Sequence, residues 1–293
     1  MTSNIATRGV LLGFAAFAVF AFSDASVKLI DGRVPPIESA FFGALFAFCL
    51  LPFVVEKGDR WQDIFATRNR ALWLLRFVSY PVGVIGSVTA FTHLTMAEAF
   101  VLIFLQPAFV TIISTLFLNE QVGARRWAAV AIGFLGVLIV LRPGFRELSI
   151  GHLGALAAGL CGGLSVVIYR VAGNDDKRLS LFGAGMLGAV LICGLAMLRD
   201  FHWPAAQDWV LLAGYGLMAA LANLLLMHAA LRAPAAWVSP TQYSQMIWAI
   251  VLDYLLFSEI LDMPMFVGIL FITVSGMMTL MRELDGQVGE ISC

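Results

Sequence analysis

Apolar runs alternate with short polar connections along the whole chain. Charged residues, prolines and glycines cut it into ten runs near 9–30, 37–55, 71–95, 98–117, 127–142, 151–171, 179–199, 208–231, 236–257 and 265–281. Each run is close to the roughly 20 residues a helix needs to cross a bilayer core. The pattern therefore predicts an all-α polytopic membrane protein with ten transmembrane helices. The longest connection spans only 56–70, so successive helices are expected to be antiparallel neighbours. The first run is too long for a signal-peptide core and has no clear cleavage site, and is expected to be retained.

Composition agrees with this reading. Of 293 residues 60% are hydrophobic and only 13% charged, about half the charged share of a soluble domain. A net charge of −1 without a basic patch points away from nucleic acid. Cys49, Cys161, Cys193 and Cys293 form neither a paired framework nor a metal-ligand spacing, so no metal or cofactor is expected. Positive residues favour cytoplasmic connections. One set of alternate connections holds twelve Lys and Arg against four in the other (Arg33, Arg142, Arg146 and Arg199), with Lys28 and Arg76 inside helices. Both termini are thus expected in the cytoplasm, in a bacterial inner membrane.

The two halves resemble each other. At an offset of 142, Gly9, Ser23 and Lys28 fall on Gly151, Ser165 and Arg170; at 139, Gln106 and Glu120 fall on Gln245 and Glu259; at 140, Gly136 and Arg142 fall on Gly276 and Arg282. The matches keep their order and divide the chain into repeats at 1–146 and 147–293, with five runs in each. Five crossings are odd, so the second copy enters the membrane from the opposite side, as an inverted repeat. Two inverted copies can rock about a site at their junction, which suits a carrier. Nothing resembles a channel's selectivity filter.

Leu118-Asn119-Glu120 closing the fourth run, Gly133 and Gly136 in the fifth, and Ser258-Glu259 repeating that ending make the chain resemble the drug/metabolite transporter superfamily, and within it the EamA family. The resemblance implies two inverted five-helix repeats around a central cavity, with the first four helices of each lining it and the fifth outside. In the second copy Ser258 precedes the acid and Ile272 stands where a glycine is expected. Size and aromatic-polar lining look most like the YddG-type exporters of aromatic amino acids.

One stretch is unusually polar for a membrane span. On an ideal helix Trp237, Thr241, Ser244, Gln245 and Trp248 share one face, aromatic and polar together, as a small-molecule pocket requires. Gln245 and its repeat mate Gln106 each lie beside a proline, Pro240 and Pro107, and a buried amide needs a partner in lipid; bonding between helices is the alternative role. Trp237, near a helix end, reads as an interface anchor, whereas Trp248 lies near mid-span. Tyr80 sits beside Pro81, Gly83 and Gly86 and joins the candidate substrate contacts Gln106, Thr241, Ser244, Gln245 and Trp248. Tyr169, Asn223 and Tyr243 belong to the same group, although Tyr243 points away from the striped face.

Asp24 and Lys28 are four apart on the first helix and so can pair. The functional alternative is that Asp24 carries a proton, a role also open to His93, Glu98, His228 or Asp253. Arg76 is near a helix start and can reach the surface by snorkelling. Glu120 and Glu259 suit the N-termini of the helices that follow them. The chain lacks a His-Glu-x-x-His, a Gly-x-Ser-x-Gly, a P-loop and an acid cluster with metal spacing, so an enzyme is the weaker reading. The expectation is a secondary carrier exporting small amphipathic metabolites such as aromatic or hydrophobic amino acids, as a monomer or homodimer. An uptake permease or exchanger is the alternative of the same fold. Phosphate-bearing substrates would need a cavity cation, which only Lys28 or Arg76 could supply.

Overall fold

The computed structural model describes residues 2–50, 52, 60–118, 123–142, 147–172, 178–230, 232, 238–275 and 277. Asn119, Glu120, Arg146, Trp237, Gly276, Arg282 and Cys293, named above, lie outside the described residues. In chain order the helices are α1 (Thr2–Ile30), α2 (Pro36–Phe48) and α3 (Arg70–His93). Next come α4 in two pieces (Met96–Ile103 and Gln106–Leu118), α5 (Ala124–Leu141) and α6 (Ile150–Ala172). Helix α7 runs from Arg178–Gly188 through a π-turn at Ala189–Cys193 into Gly194–Met197. It is followed by α8 (Ala206–Ala230), by α9, which opens as a 3₁₀ turn (Ser239–Tyr243) and continues over Ser244–Phe257, and by α10 (Met263–Ser275). No strand occurs among the described residues.

Six of these helices are long and apolar enough to cross a membrane, and Pro36–Phe48, Trp127–Leu141 and Met263–Ser275 are shorter apolar helices. Phe117, Leu195 and Val210 are largely exposed, which in a protein this apolar marks lipid-facing surface. The chain is a multi-pass integral membrane protein.

Local chemistry explains the boundaries. Asp31 and Gly32 take positive φ (52° and 70°) just after α1, and Pro36 opens α2 where its missing N–H is not needed. The Asn69 side chain accepts from the Ala71 and Leu72 amides at the start of α3, and Thr95 accepts from Glu98 at the start of α4. Pro107 has no N–H to give to the carbonyl four residues back. The chain accordingly tightens between Ile103 and Gln106 before helix resumes. The 3₁₀ turn at Ser239–Tyr243 changes the rotation per residue, so the single face projected over 237–248 does not persist through it.

Helix packing has the symmetry of an inverted repeat. The pairs α1 with α8, α2 with α8, and α1 with α9 have counterparts five helices on in α6 with α3, α7 with α3, and α6 with α4; α2 with α7 and α4 with α9 map onto themselves. Side chains repeat the relation, since the ring of Tyr80 on α3 packs on Gly185 of α7 and the ring of Tyr215 on α8 packs on Gly43 of α2. Helices α3 and α6 cross at Gly86 and Gly154. A Cβ on either would lie 2.6 Å from the other's carbonyl oxygen, so only glycine permits this approach. Gly136 of α5 meets Gly268 and Ile272 of α10 in a similar contact, with Ile272 supplying a side chain that the opposing glycine accommodates.

Candidate functional site

A cavity of about 450 Å³ lies among α1, α3, α4, α6, α8 and α9, at the junction of the two sets of helices. Arg76 stands early in α3, Tyr169 late in α6, Leu226 late in α8 and Gln242 at the start of α9, and all four belong to its wall. Alternating helix direction puts these positions at the membrane face where α1 begins. Tyr80, Gln106, Cys161, Ser165 and Asn223 add polar groups or a thiol, and Phe17 and Phe20 add rings.

The unexpected member is Arg76. It is only 7% exposed and folds into the cavity wall, so the snorkelling expectation is corrected. Its guanidinium carbon lies 4.8 Å from the Tyr80 ring centre and 5.2 Å from that of Tyr169. Its Nη1 donates to Ser165 Oγ, whose own hydroxyl donates to the Cys161 carbonyl at 2.7 Å. Its Nε is buried without a hydrogen-bond partner. Position along a helix does not reveal whether a neighbour covers that side, so the sequence alone does not mark Arg76. The repeat did mark Ser165, the mate of Ser23, and each serine ties its helix to α3 or α8: Ser23 Oγ donates to the Tyr215 carbonyl at 2.9 Å.

A second cavity, about 550 Å³, lies at the opposite ends of the helices and includes Lys28, Phe91, His93, Glu98 and Glu259 in its wall. The two cavities share no lining residue. A file of packed rings, Phe91, Phe100, Phe104 and Tyr243, has successive centroids 5.2, 5.6 and 6.1 Å apart. It starts in the far cavity's lining and ends next to Gln242 of the near one.

The far end is tied together by charge. Lys28 Nζ donates to Asp253 at 3.0 Å and to Glu259, and lies 4.4 Å from the Phe257 ring centre. Asp253 also accepts from the amides of Met96 and Ala97 at 3.1 and 2.9 Å, so a carboxylate on α9 caps the start of α4, where free N–H groups favour negative charge. Burial pushes the Glu259 carboxyl above its ordinary pKa, with Lys28 pulling it down. Arg33 pairs with Asp208 at 2.9 Å, and His152 Nε2 lies 3.2 Å from Glu98. Glu38 accepts from the His202 amide at 2.9 Å.

These contacts revise the reading of the charged residues. Asp24 and Lys28 do not pair with each other; Lys28 turns to α9, and Asp24 accepts from Gln245 Nε2 at 3.0 Å. Glu259 reaches back to Lys28. His93 is exposed, with Nδ1 2.9 Å from the Thr89 carbonyl.

Of the sequence-derived substrate candidates, Tyr80 and Gln106 meet in the near cavity's wall, joined there by Tyr169 and Asn223. Thr241, Ser244, Gln245 and Trp248 are not in that lining. Thr241 and Ser244 are buried and donate to the Val238 and Thr241 carbonyls, both at 2.6 Å. Trp248 is 38% exposed, its ring 6.1 Å from that of Phe22.

Comparison with known proteins is consistent with this architecture. The EamA-like transporter family matches the chain twice, over residues 7–142 and 149–281. The pseudopaline exporter CntI of Pseudomonas aeruginosa is 25% identical over 278 residues, covering 94% of this chain and 96% of that protein. A riboflavin transporter of Rhizobium johnstonii is 31% identical over 214 residues, covering 70% and 68%. An S-adenosylmethionine uptake transporter of Rickettsia conorii is 25% identical, covering 88% and 89%. A solved crystal structure, 16% identical, superposes with a TM-score of 0.64 over 95% of this chain and 99% of its own, a likeness of fold alone. With the family matched in both halves, the chain belongs to the EamA-like transporter family.

Proposed function

We propose that this protein is a secondary carrier that moves small amphipathic metabolites, aromatic or hydrophobic amino acids and related compounds among them, by alternating access between halves 1–146 and 147–293. The observation that carries this reading is the pair of cavities on opposite sides with no shared lining residue. Such an arrangement supports a carrier over a continuous pore. The near cavity is the substrate site in this reading, with Tyr80 and Gln106 as contacts and rings for an aromatic or apolar group. Asp24, held by a neutral amide, is the proposed proton-coupling group, and the Lys28 cluster is the far-side closure. The protein acts as a transporter and not as an enzyme, in the inner membrane with both termini cytoplasmic, and the proposed direction is export, which the pseudopaline exporter among its relatives supports.

The named relatives include an exporter and an uptake transporter, which supports uptake or exchange as the second reading. Purified protein in liposomes loaded with radiolabelled L-phenylalanine, L-tryptophan or L-leucine is the test, with and without a proton gradient. Efflux of at least one compound above empty liposomes, reduced by Gln106→Ala, is expected. Rates equal to those of empty liposomes for all three would defeat the amino-acid reading.

A further inference from the structure

Among the described residues Arg76 is a buried cation with no anion beside it. Its contacts among the described residues are the Ser165 hydroxyl and the faces of Tyr80 and Tyr169, all neutral, and its Nε has no partner. A charge inside a membrane protein normally pairs or marks a substrate path. Lys28, by contrast, is met by two carboxylates.

The repeat sharpens the point. The equivalent contacts of Tyr80 on Gly185 and Tyr215 on Gly43 align α3 with α8, and four residues before Tyr215, where Arg76 has its counterpart, stands Leu211. Packing at this level is met by leucine in one half, so it does not require a guanidinium in the other.

We infer that Arg76 is the counter-charge for a carboxylate on the transported molecule, making this a site for ring-bearing carboxylates; the inference rests on the carrier reading above. The guanidinium fork suits a planar carboxylate. Nη1 is held by Ser165, and Nε is buried without a hydrogen-bond partner, so the guanidinium keeps donor capacity that no described residue uses. Tyr80 and Tyr169 flank the charge and offer ring faces to an aromatic group beside it. One guanidinium matches one negative charge. Among the described lining residues Arg76 is the one cation, and a phosphate monoester would call for a second.

Calorimetric titration of the full-length protein in nanodiscs tests this with phenylacetate, phenylacetamide and phenyl phosphate. Phenylacetate is expected to bind about tenfold or more tightly than its amide, the range of a charge-assisted hydrogen bond, with phenyl phosphate no tighter than phenylacetate. Arg76→Gln should bring the acid-to-amide ratio to about one, with the larger loss falling on the acid. Arg76→Lys, which keeps the charge and loses the fork, should retain part of the preference. Equal binding of acid and amide to the unaltered protein, or a preference that survives Arg76→Gln, overturns the assignment to Arg76 and leaves the carrier reading standing. Tighter phenyl phosphate replaces the carboxylate with a phosphate. Binding of none of the three defeats the aromatic-substrate reading and this inference with it. The comparison of acid with amide needs no variant, so a poorly folding Arg76→Gln does not spare the proposal.

Discussion

Lys28 and Arg76 are both buried cations in membrane helices, 8% and 7% exposed, yet their surroundings are opposite. Lys28 is met by Asp253 and Glu259, and Asp253 is itself satisfied by two backbone amides. Arg76 has one hydroxyl, two ring faces and an unpartnered Nε. The first cluster joins α1, α4 and α9 at their far ends. The second lines the near cavity with no carboxylate beside it among the described residues. The difference separates a cation that holds helices together from one left available to a ligand. The same contrast runs through the repeat: at the offset of 139 that relates Gln106 to Gln245, the position matching Asp253 is Ser114, whose buried hydroxyl has no partner.

The two cations should therefore respond oppositely to removal. Lys28→Met leaves two carboxylates facing each other, one of them buried, and is expected to lower stability by about 3–5 kcal/mol, read as thermal unfolding in detergent. Adding Asp253→Asn and Glu259→Gln should recover much of that loss, because it is the stranded charge that costs. No recovery would mean that Lys28 acts by packing. Gly86→Ala brings a Cβ to 2.6 Å from the Gly154 carbonyl and is expected to cost about 1–3 kcal/mol through forced separation of α3 from α6. Gly214→Ala, whose Cβ would meet its nearest neighbour, Ser26 Oγ, at 3.4 Å, is the matched control and should fold as the parent does.

Arg76→Gln is expected to leave stability within about 1 kcal/mol of the parent or to raise it, since it removes an uncompensated charge. A loss as large as that of Lys28→Met would erase the distinction between the two sites. The smallest effect is expected for Trp248→Leu, a partly exposed ring beside Phe22. Stability should change by no more than about 0.5 kcal/mol, and efflux should stay near the parent rate. A large fall in efflux would place Trp248 in the transport path in another conformation.

Much of the fold is legible in the sequence, because apolar run length and punctuation are local properties. The ten segments, the break at Pro107 and the inverted pairing follow from run lengths, proline chemistry and offsets between the halves. Tyr80 and Gln106 could be picked out as polar groups beside breaks. What sequence spacing could not show is which neighbour covers each helix face. Asp24 and Lys28 have the spacing of a pair, but Lys28 is met by residues 225 and 231 positions away and Asp24 by one 221 away. The stripe from Trp237 to Trp248 needs an unbroken helix, and the 3₁₀ turn at Ser239–Tyr243 breaks it in its first half. Arg76 sits where a long side chain can turn either to the surface or inward, and only packing against α6 decides between them.

The cavity itself contains a native reporter. Cys161 is half-buried in the near cavity's wall, Cys49 is exposed and Cys193 is buried. With Cys49, Cys193 and Cys293 replaced by serine, a membrane-impermeant thiol reagent can be applied to one side at a time of oriented vesicles. The account predicts labelling of Cys161 from the side of the N-terminus, little from the other, and slower labelling when L-phenylalanine is present. Equal labelling from both sides, or labelling only from the side of Lys28, would contradict a substrate cavity open to one face and closed at the other.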